Sequence, residues 1–268
     1  MTDPETWSRA ADAHRRIGRA IEHHAVLGST SDRARALLSS PGGEGVAVVA
    51  DLQTDGRGRH GRRWLSPPGA NLMMSVGLRP TLAASRAWWL GAAAALAVRD
   101  AAAPWAALQV KWPNDLLGPD ERKVAGLLLE TAIEGDRVQQ AVIGIGINVN
   151  WRRAEMPAEI ADGATSLAEL AGVEIDLVAL LDRLLSALDR EVARAEAGTS
   201  PLERYRAVSV LDGRQVRLSV DGDELAGLAA GIGEDGSLLL DTAQGRVAVA
   251  HGEVIRVRAA DAADAVPA

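Results

Sequence analysis

The chain has 268 residues, enough for one large domain and a small one, with 47% hydrophobic and 24% charged residues, ordinary proportions for a globular protein. It has no Cys, which excludes disulfides, zinc-thiolate sites and cysteine nucleophiles, and its five His are scattered without metal-ligand spacing. A metal would be a hard cation held by oxygens, and a formal charge of −7 argues against a general nucleic-acid binder, whose affinity rests on neutralised phosphates.

The start of the chain lacks a charged-then-apolar leader, and the most apolar helix candidate, Trp88–Val98, is far shorter than the roughly 20 residues of a membrane span. A cytoplasmic location without membrane contact is expected. Residues 5–24 are polar and helix-prone, with Trp7, Ala11, Ile17 and Ile21 as sparse apolar positions, and predict one amphipathic helix. Leu27-Gly-Ser-Thr-Ser-Asp32 then leads into ARALLSS, an N-cap signal at a strand-to-helix junction. Capping alone explains those hydroxyls; facing a polar ligand is the alternative use.

Gly45–Ala50 reads as a buried strand and Asn71–Arg79 as an alternating one. Ala83–Ala103 predicts a buried helix, Leu108–Trp112 a short strand, and Val124–Thr131 with Val138–Val149 a hairpin turned by Glu134-Gly-Asp136. After an irregular stretch with a short helix near Ser166–Leu170, Asp176 caps a helix whose Leu stripe runs at helical spacing to Val192. From about Asp212, five short runs separated by Asp-Gly and Gly turns predict a small barrel.

Four stretches concentrate chemistry. Gln53–Trp64, QTDGRGRHGRRW, packs Arg57, Arg59, Arg62 and Arg63 around Gly56, Gly58 and Gly61. Clustered guanidiniums repel one another, and their donor forks match carboxylate or phosphate oxygens. A solvated surface loop and a short RNA-binding run are the alternatives, but the strand before it hangs this stretch from a core element, and it reads as a poised anion loop. In Lys111-Trp-Pro-Asn-Asp115, Asp115 is either an Asx-turn residue or a ligand of Mg²⁺ riding on nucleotide phosphates. Lys123-Val-Ala-Gly-Leu-Leu-Leu-Glu130 puts one charge at the mouth of an apolar strand, where it is a surface residue or a partner for a carboxylate or phosphate. Gly144-Ile-Gly-Ile-Asn148 places glycines in a buried strand, a sign of close approach by a backbone or flat ligand. It lacks the third Gly and the following helix of a dinucleotide fingerprint.

GRGRHGRRW, KWPND, KVAGLLLE and GIGINVN, in this order and spacing, resemble the biotin protein ligases, over about residues 25–258. The resemblance implies an α+β fold: a class II aminoacyl-tRNA synthetase-like catalytic domain, a mixed sheet with helices, over 25–210, and a small SH3-like β-barrel over 211–260. Residues 1–24 would be an N-terminal helical extension and 261–268 a disordered tail. It implies an enzyme that uses ATP and Mg²⁺ to convert biotin to biotinyl-5′-AMP. Biotin then passes to one Lys of a biotin carboxyl carrier domain of an acyl-CoA carboxylase.

Carried over residue by residue, Ser29, Thr30, Gln53, Gly56 and Arg57 would hold the biotin ureido head, and Gly126, Leu128 and Gly144 would line the slot for its rings. Lys123 and Arg59 would be catalytic, binding the carboxylate and α-phosphate. Arg62, Trp64, Lys111, Asn114 and Asn148 would join them around the nucleotide, with Asp115 on the metal. Ser31 departs from the Ser-Thr-Asn step of the family. With no room for a preceding DNA-binding domain, an enzyme without DNA binding is expected, as a monomer or weak homodimer. A lipoate or octanoate ligase and a non-catalytic biotinyl-adenylate sensor are the rivals.

Overall fold

The computed structural model describes residues 4–258. The helix expected over 5–24 is not formed. Helix α1 covers only Pro4–Ser8, and the chain turns until strand β1, Ile21–Leu27. Gly18, at φ +81°, donates its N–H to Gly45 O at 2.8 Å, and a left-handed residue interrupts a helix. Sheet pairing of residues 21–27 overrides the helix propensity of their polar neighbours. Trp7 and Ile17 are nevertheless buried, so the sparse apolar positions do reach the core, from turns instead of one helix.

Helix α2, Thr30–Leu38, begins at Ser29, whose extended backbone and Oγ, accepting from Asp32 N at 3.4 Å, make it the N-cap. Strands β2, Ala47–Gln53, and β3, Leu72–Leu78, follow. All seven residues of β3 are buried, because both faces of the strand are covered. A Cβ on Gly77 would fall 2.7 Å from Leu38 Cγ, so α2 lies too close for a side chain there.

Helix α3, Trp88–Ala102, is the expected buried Ala-rich helix, preceded by a single turn at Ala84–Arg86. Strands β4, Gln109–Lys111, β5, Asp115–Leu117, β6, Lys123–Glu134, and β7, Arg137–Ile147, come next, the last two turning at Gly135, φ +59°. The irregular stretch carries α4, Ala158–Ala161, and α5, Leu167–Ala171, capped by Ser166. Asp176 Oδ1 accepts from Val178 N at 2.8 Å and starts α6, Leu177–Glu196, whose Leu stripe is buried as expected. A short α7, Leu202–Arg206, had no signal in the hydrophobic pattern.

The first seven strands form one mixed sheet, ordered β1-β2-β3-β7-β6-β5-β4, with β1 and β2 parallel and the other pairs antiparallel. Helix α2 lies against β2, β3 and β7, and α3, itself packed on α6, lies against β6 and β7. Val142 joins the cluster under α2 while its neighbour Ile143 joins the main core, so the helices occupy opposite faces. The α2 face also carries Ser75, Gly144 and Gly146, which α2 only partly covers.

The five strands expected after Asp212 are β8, Gln215–Val220, β9, Asp223–Ile232, β10, Leu238–Thr242, β11, Gly245–Val249, and β12, Glu253–Arg258. They form an antiparallel sheet in which β8 to β11 meander and β12 returns to pair with β8. The sheet is fastened by two indoles: Trp88 Nε1 donates to Glu234 O and Trp112 Nε1 to Gly236 O, each at 3.0 Å. The hydrophobic core runs without a break from one sheet into the other. The tail expected over 261–268 lies outside the described residues. Among the described residues, no helix is long and apolar enough to cross a membrane.

Gly236 sits at φ +83°, and a Cβ there would fall 2.6 Å from the Trp88 ring. Gly236→Ala is expected to destabilise the protein by about 1–3 kcal/mol, from strain and overpacking together. Urea unfolding checks this; an unchanged midpoint would remove the turn from the fastening.

Candidate active site

The α2 face of the large sheet is bare beyond the start of α2, and the bareness comes from glycine. Register pairs Gly126 with Gly146 and Leu128 with Gly144 across β6 and β7, while Ser75 lies beside Gly144 on β3 and Asp115 beside Gly126 on β5. These residues form the floor of a cavity. Strands β3, β7, β6 and β5 lie side by side, so the floor extends over three strand spacings, ~14 Å.

Trp64 lies on this floor. A Cβ on Gly146 would fall 2.6 Å from its indole and one on Gly126 3.0 Å, so only glycine lets the ring rest there. Its Nε1 is buried and makes no hydrogen bond among the described residues. Lys123 Nζ stands 5.6 Å from the ring centroid, over its face. The indole is held by its own loop: Trp64 N donates to Gly56 O at 2.9 Å, and Gly58 N to Arg62 O at 2.7 Å. Residues 56–64 are thus a small hairpin, with His60 at φ 55° and Gly61 at φ +73° at its tip.

One end of the cavity is hydroxylic. Ser29, Thr30 and Ser31 are buried at the start of α2, and Gln53 reaches them from the end of β2, accepting from Thr30 N at 2.8 Å. Thr30 Oγ1 and Ser31 Oγ both meet Ser75 Oγ, at 2.8 and 3.0 Å. Ser75 was not anticipated. It lies in an otherwise apolar strand, and only register and the approach of α2 bring it to the motif residues.

The other end is cationic. Lys123 Nζ is 2.6 Å from Asp115 Oδ1. Lys111 Nζ donates to Val254 O at 3.2 Å and Arg59 Nη1 to Gly252 O at 3.1 Å, while Arg62 pairs with the Glu253 carboxylate. Burial lowers the Lys111 pKa against the opposing pull of Asp115, and does the same to Arg59, which remains a cation. Three consecutive residues of the C-terminal sheet therefore hold three cavity cations. Nothing in the local pattern of residues 252–254 announces this, since it depends on how the two sheets dock.

Most of the residues singled out in the sequence meet here; Gly56, Arg57 and Asn148 differ. Gly56 does not line the cavity but supports it from behind, with a Cβ position 3.2 Å from Gln53 Nε2. Arg57 reaches the wall, yet its guanidinium grips Asp32 with contacts of 2.6 and 2.7 Å. This pairing holds Asp32 below the usual carboxylate range and raises Arg57. Asn148 lies outside the cavity: its side chain donates to Thr165 O at 3.1 Å and accepts from Asn71 at 3.4 Å, which ties the end of β7 to the irregular stretch. Asn114 lines the cavity while its Nδ2 donates to Leu127 O at 2.9 Å. The need for an anion among the arginines is thus partly met inside the chain, by Asp32 and Glu253.

Among the described residues no three His, Asp or Glu converge on a possible metal. The cavity offers Asp115 as a carboxylate flanked by cations. That fits a Mg²⁺ whose remaining ligands are nucleotide phosphates and water, and does not fit a resident all-protein metal centre.

A hydroxyl-lined end, a bare floor and a converging set of cations make a cavity suited to a ligand that is polar at one end and anionic at the other. The description of the biotin/lipoate A/B protein ligase family matches residues 24–148, and that of the biotin protein ligase C-terminal domain matches residues 213–257. The chain is 36% identical over 233 residues to the bifunctional ligase/repressor BirA of Bacillus subtilis, covering 85% of this chain and 71% of that protein. It is 35% identical over 249 residues to the biotin–[acetyl-CoA-carboxylase] ligase of Mycobacterium tuberculosis, covering 90% of each. The biotin protein ligase of Aquifex aeolicus, solved in complex with biotin and ATP, superposes with a TM-score of 0.74 at 31% identity, over 90% of this chain and 99% of that one. The chain belongs to the biotin protein ligase family.

Gly146→Ala is expected to lift Trp64 from the floor and loosen the hairpin. Cleavage between residues 56 and 64 by trypsin should then rise severalfold, and an unchanged cleavage rate would mean that the indole is not what holds the hairpin down.

Proposed function

We propose that the protein adenylates biotin with ATP at this cavity and transfers the biotinyl group to a Lys of a biotin carboxyl carrier domain of an acyl-CoA carboxylase. The observation that carries this reading is the placing of hydroxyls and an amide at one end of a glycine floor and a cluster of half-buried and exposed cations at the other. Ser29, Thr30 and Gln53 would take the ureido head. Gly126, Leu128 and Gly144 would line the apolar slot, and Arg57, fixed on Asp32, would hold the hairpin to α2 beside that head.

In the first step a carboxylate oxygen attacks the α-phosphorus while the bond to pyrophosphate breaks. Two anions must approach each other, and fixed cations in a dry site offset their repulsion. Lys123 and Arg59 would bind the carboxylate and α-phosphate, with Arg62 and Lys111 for the remaining phosphates. Asp115 would hold Mg²⁺, which would neutralise charge on the departing pyrophosphate. In the second step the ε-amine of the carrier attacks the acyl carbon and AMP leaves. The hairpin, with Trp64 against the floor, would keep water from the mixed anhydride.

On this reading residues 25–210 form the catalytic domain, and 211–260 form an SH3-like domain that steadies its cations. The net charge of −7 supports action without DNA. The same reading has a cytoplasmic monomer or weak homodimer.

Titration with biotin, ATP and lipoate, followed by mass spectrometry for an acyl-adenylate, tests the proposal. Biotin binding and a biotinyl-AMP mass are expected; lipoate binding without biotin would refute it. Lys123→Ala is expected to lower adenylation by about 10²-fold or more while biotin still binds; adenylation at the unaltered rate would remove Lys123 from the chemistry.

Because burial disfavours its charged form, Lys111 loses its proton at a lower pH than an ordinary lysine. ATP affinity should therefore fall as pH rises through that range, and Lys111→Arg should move the fall to higher pH. Superimposable profiles for the two proteins would show that Lys111 does not meet the nucleotide.

A further inference from the structure

The hydrogen bonds at the hydroxylic end run in one direction. Thr30 N can only donate, so the Gln53 atom 2.8 Å from it is Oε1. Thr30 Oγ1 lies 3.0 Å from the same oxygen and gives it its single hydrogen. The 2.8 Å contact between Thr30 and Ser75 must then use the Ser75 hydrogen, and the 3.0 Å contact between Ser75 and Ser31 must use that of Ser31. Every hydroxyl hydrogen in the chain Ser31 to Ser75 to Thr30 to Gln53 is committed. Toward the cavity Thr30 and Ser31 present lone pairs only, and the N–H bonds of Gln53 Nε2 are left to donate.

We propose that Ser75, buried beneath these residues, is a positioning residue that sets this polarity: it holds Ser31 as an acceptor, and so selects a ligand ring with an N–H at that place over one with an oxygen. The inference rests on the reading of the cavity as a biotin site. A cyclic urea, with its carbonyl acceptor flanked by two N–H donors, is the complement of the pattern. Among the described residues the contact with Ser75 is the hydrogen bond that fixes the sense of the Ser31 hydroxyl. With Ser75 replaced by alanine its hydrogen has no acceptor below it and is released toward the cavity, which turns a pure acceptor into a donor. Gly144 belongs to the device, since a Cβ there would fall 2.9 Å from Ser31 Oγ and 3.4 Å from Ser75 Oγ.

The test compares the Kd of biotin with those of the two cyclic carbamate analogues that carry a ring oxygen in place of one or the other ureido nitrogen, using the full chain. The unaltered protein is expected to prefer biotin over one of them by about tenfold to a hundredfold, the effect of opposing a lone pair with a lone pair. Ser75→Ala should weaken biotin and narrow that ratio to about threefold or less, with the unfolding midpoint followed alongside. A purely structural role would weaken both ligands equally, and an unchanged ratio overturns the proposal. Ser31→Ala removes the acceptor without touching Ser75 and should narrow the same ratio; if Ser75→Ala does not fold, an unchanged ratio in Ser31→Ala is decisive against it. Failure of the unaltered protein to bind biotin is a separate result, and overturns the functional reading beneath.

Discussion

Two glycines facing each other across the β6–β7 ladder, Gly126 and Gly146, leave a gap in the side-chain cover of the sheet, and the site depends on that gap. Glycine inside a strand loses backbone entropy and contributes no packing, a cost of roughly 0.5–1 kcal/mol each relative to alanine. The chain carries this cost at Gly126, Gly144 and Gly146 together. What it gains is a surface flat enough for an aromatic ring, with Trp64 pressed against it. The Trp64 side chain covers the floor at Gly126 and Gly146, and the cavity it bounds continues toward Leu128 and Gly144.

Around that gap, charge is arranged so that no cation in the cavity is left without a partner inside the chain. Arg57 has Asp32, Arg62 has Glu253, Lys123 has Asp115, and Arg59 and Lys111 rest on carbonyls of the C-terminal sheet. Preorganised cations of this kind need little rearrangement when charge develops nearby. The carbonyl partners matter most for Lys111, because burial works against its charge. The second sheet is therefore part of the site's electrostatics.

Much of this was legible in the sequence. The Arg/Gly run, Lys111 to Asp115, Lys123 and the glycines of β7 declare themselves by composition within a few residues. Their order along the chain carries the family resemblance, and Asp176 and Ser29 announce their helices by local capping chemistry. What stayed hidden is whatever depends on register or docking. Ser75 is one small polar residue in a strand, and its role exists only once α2 crosses it. Glu253 sits far along the chain from the arginine it meets. The stretch 5–24 misleads because helix propensity is a weak prior, and Gly18 together with the pairing of β1 outweighs it. Asn148 misleads for another reason: it adjoins a motif, but its amide is consumed in holding the chain together.

The uninterrupted core between the two sheets, pinned by Trp88 and Trp112, bears on how the protein comes apart. Local opening takes place where few buried contacts have to break; to part these sheets, the shared core and both indole hydrogen bonds must give way. The C-terminal strands are tied through them to the cavity whose cations they hold. Arg59 and Lys111 keep their carbonyl anchors for as long as the core persists, so structural integrity and readiness of the cavity rise and fall together.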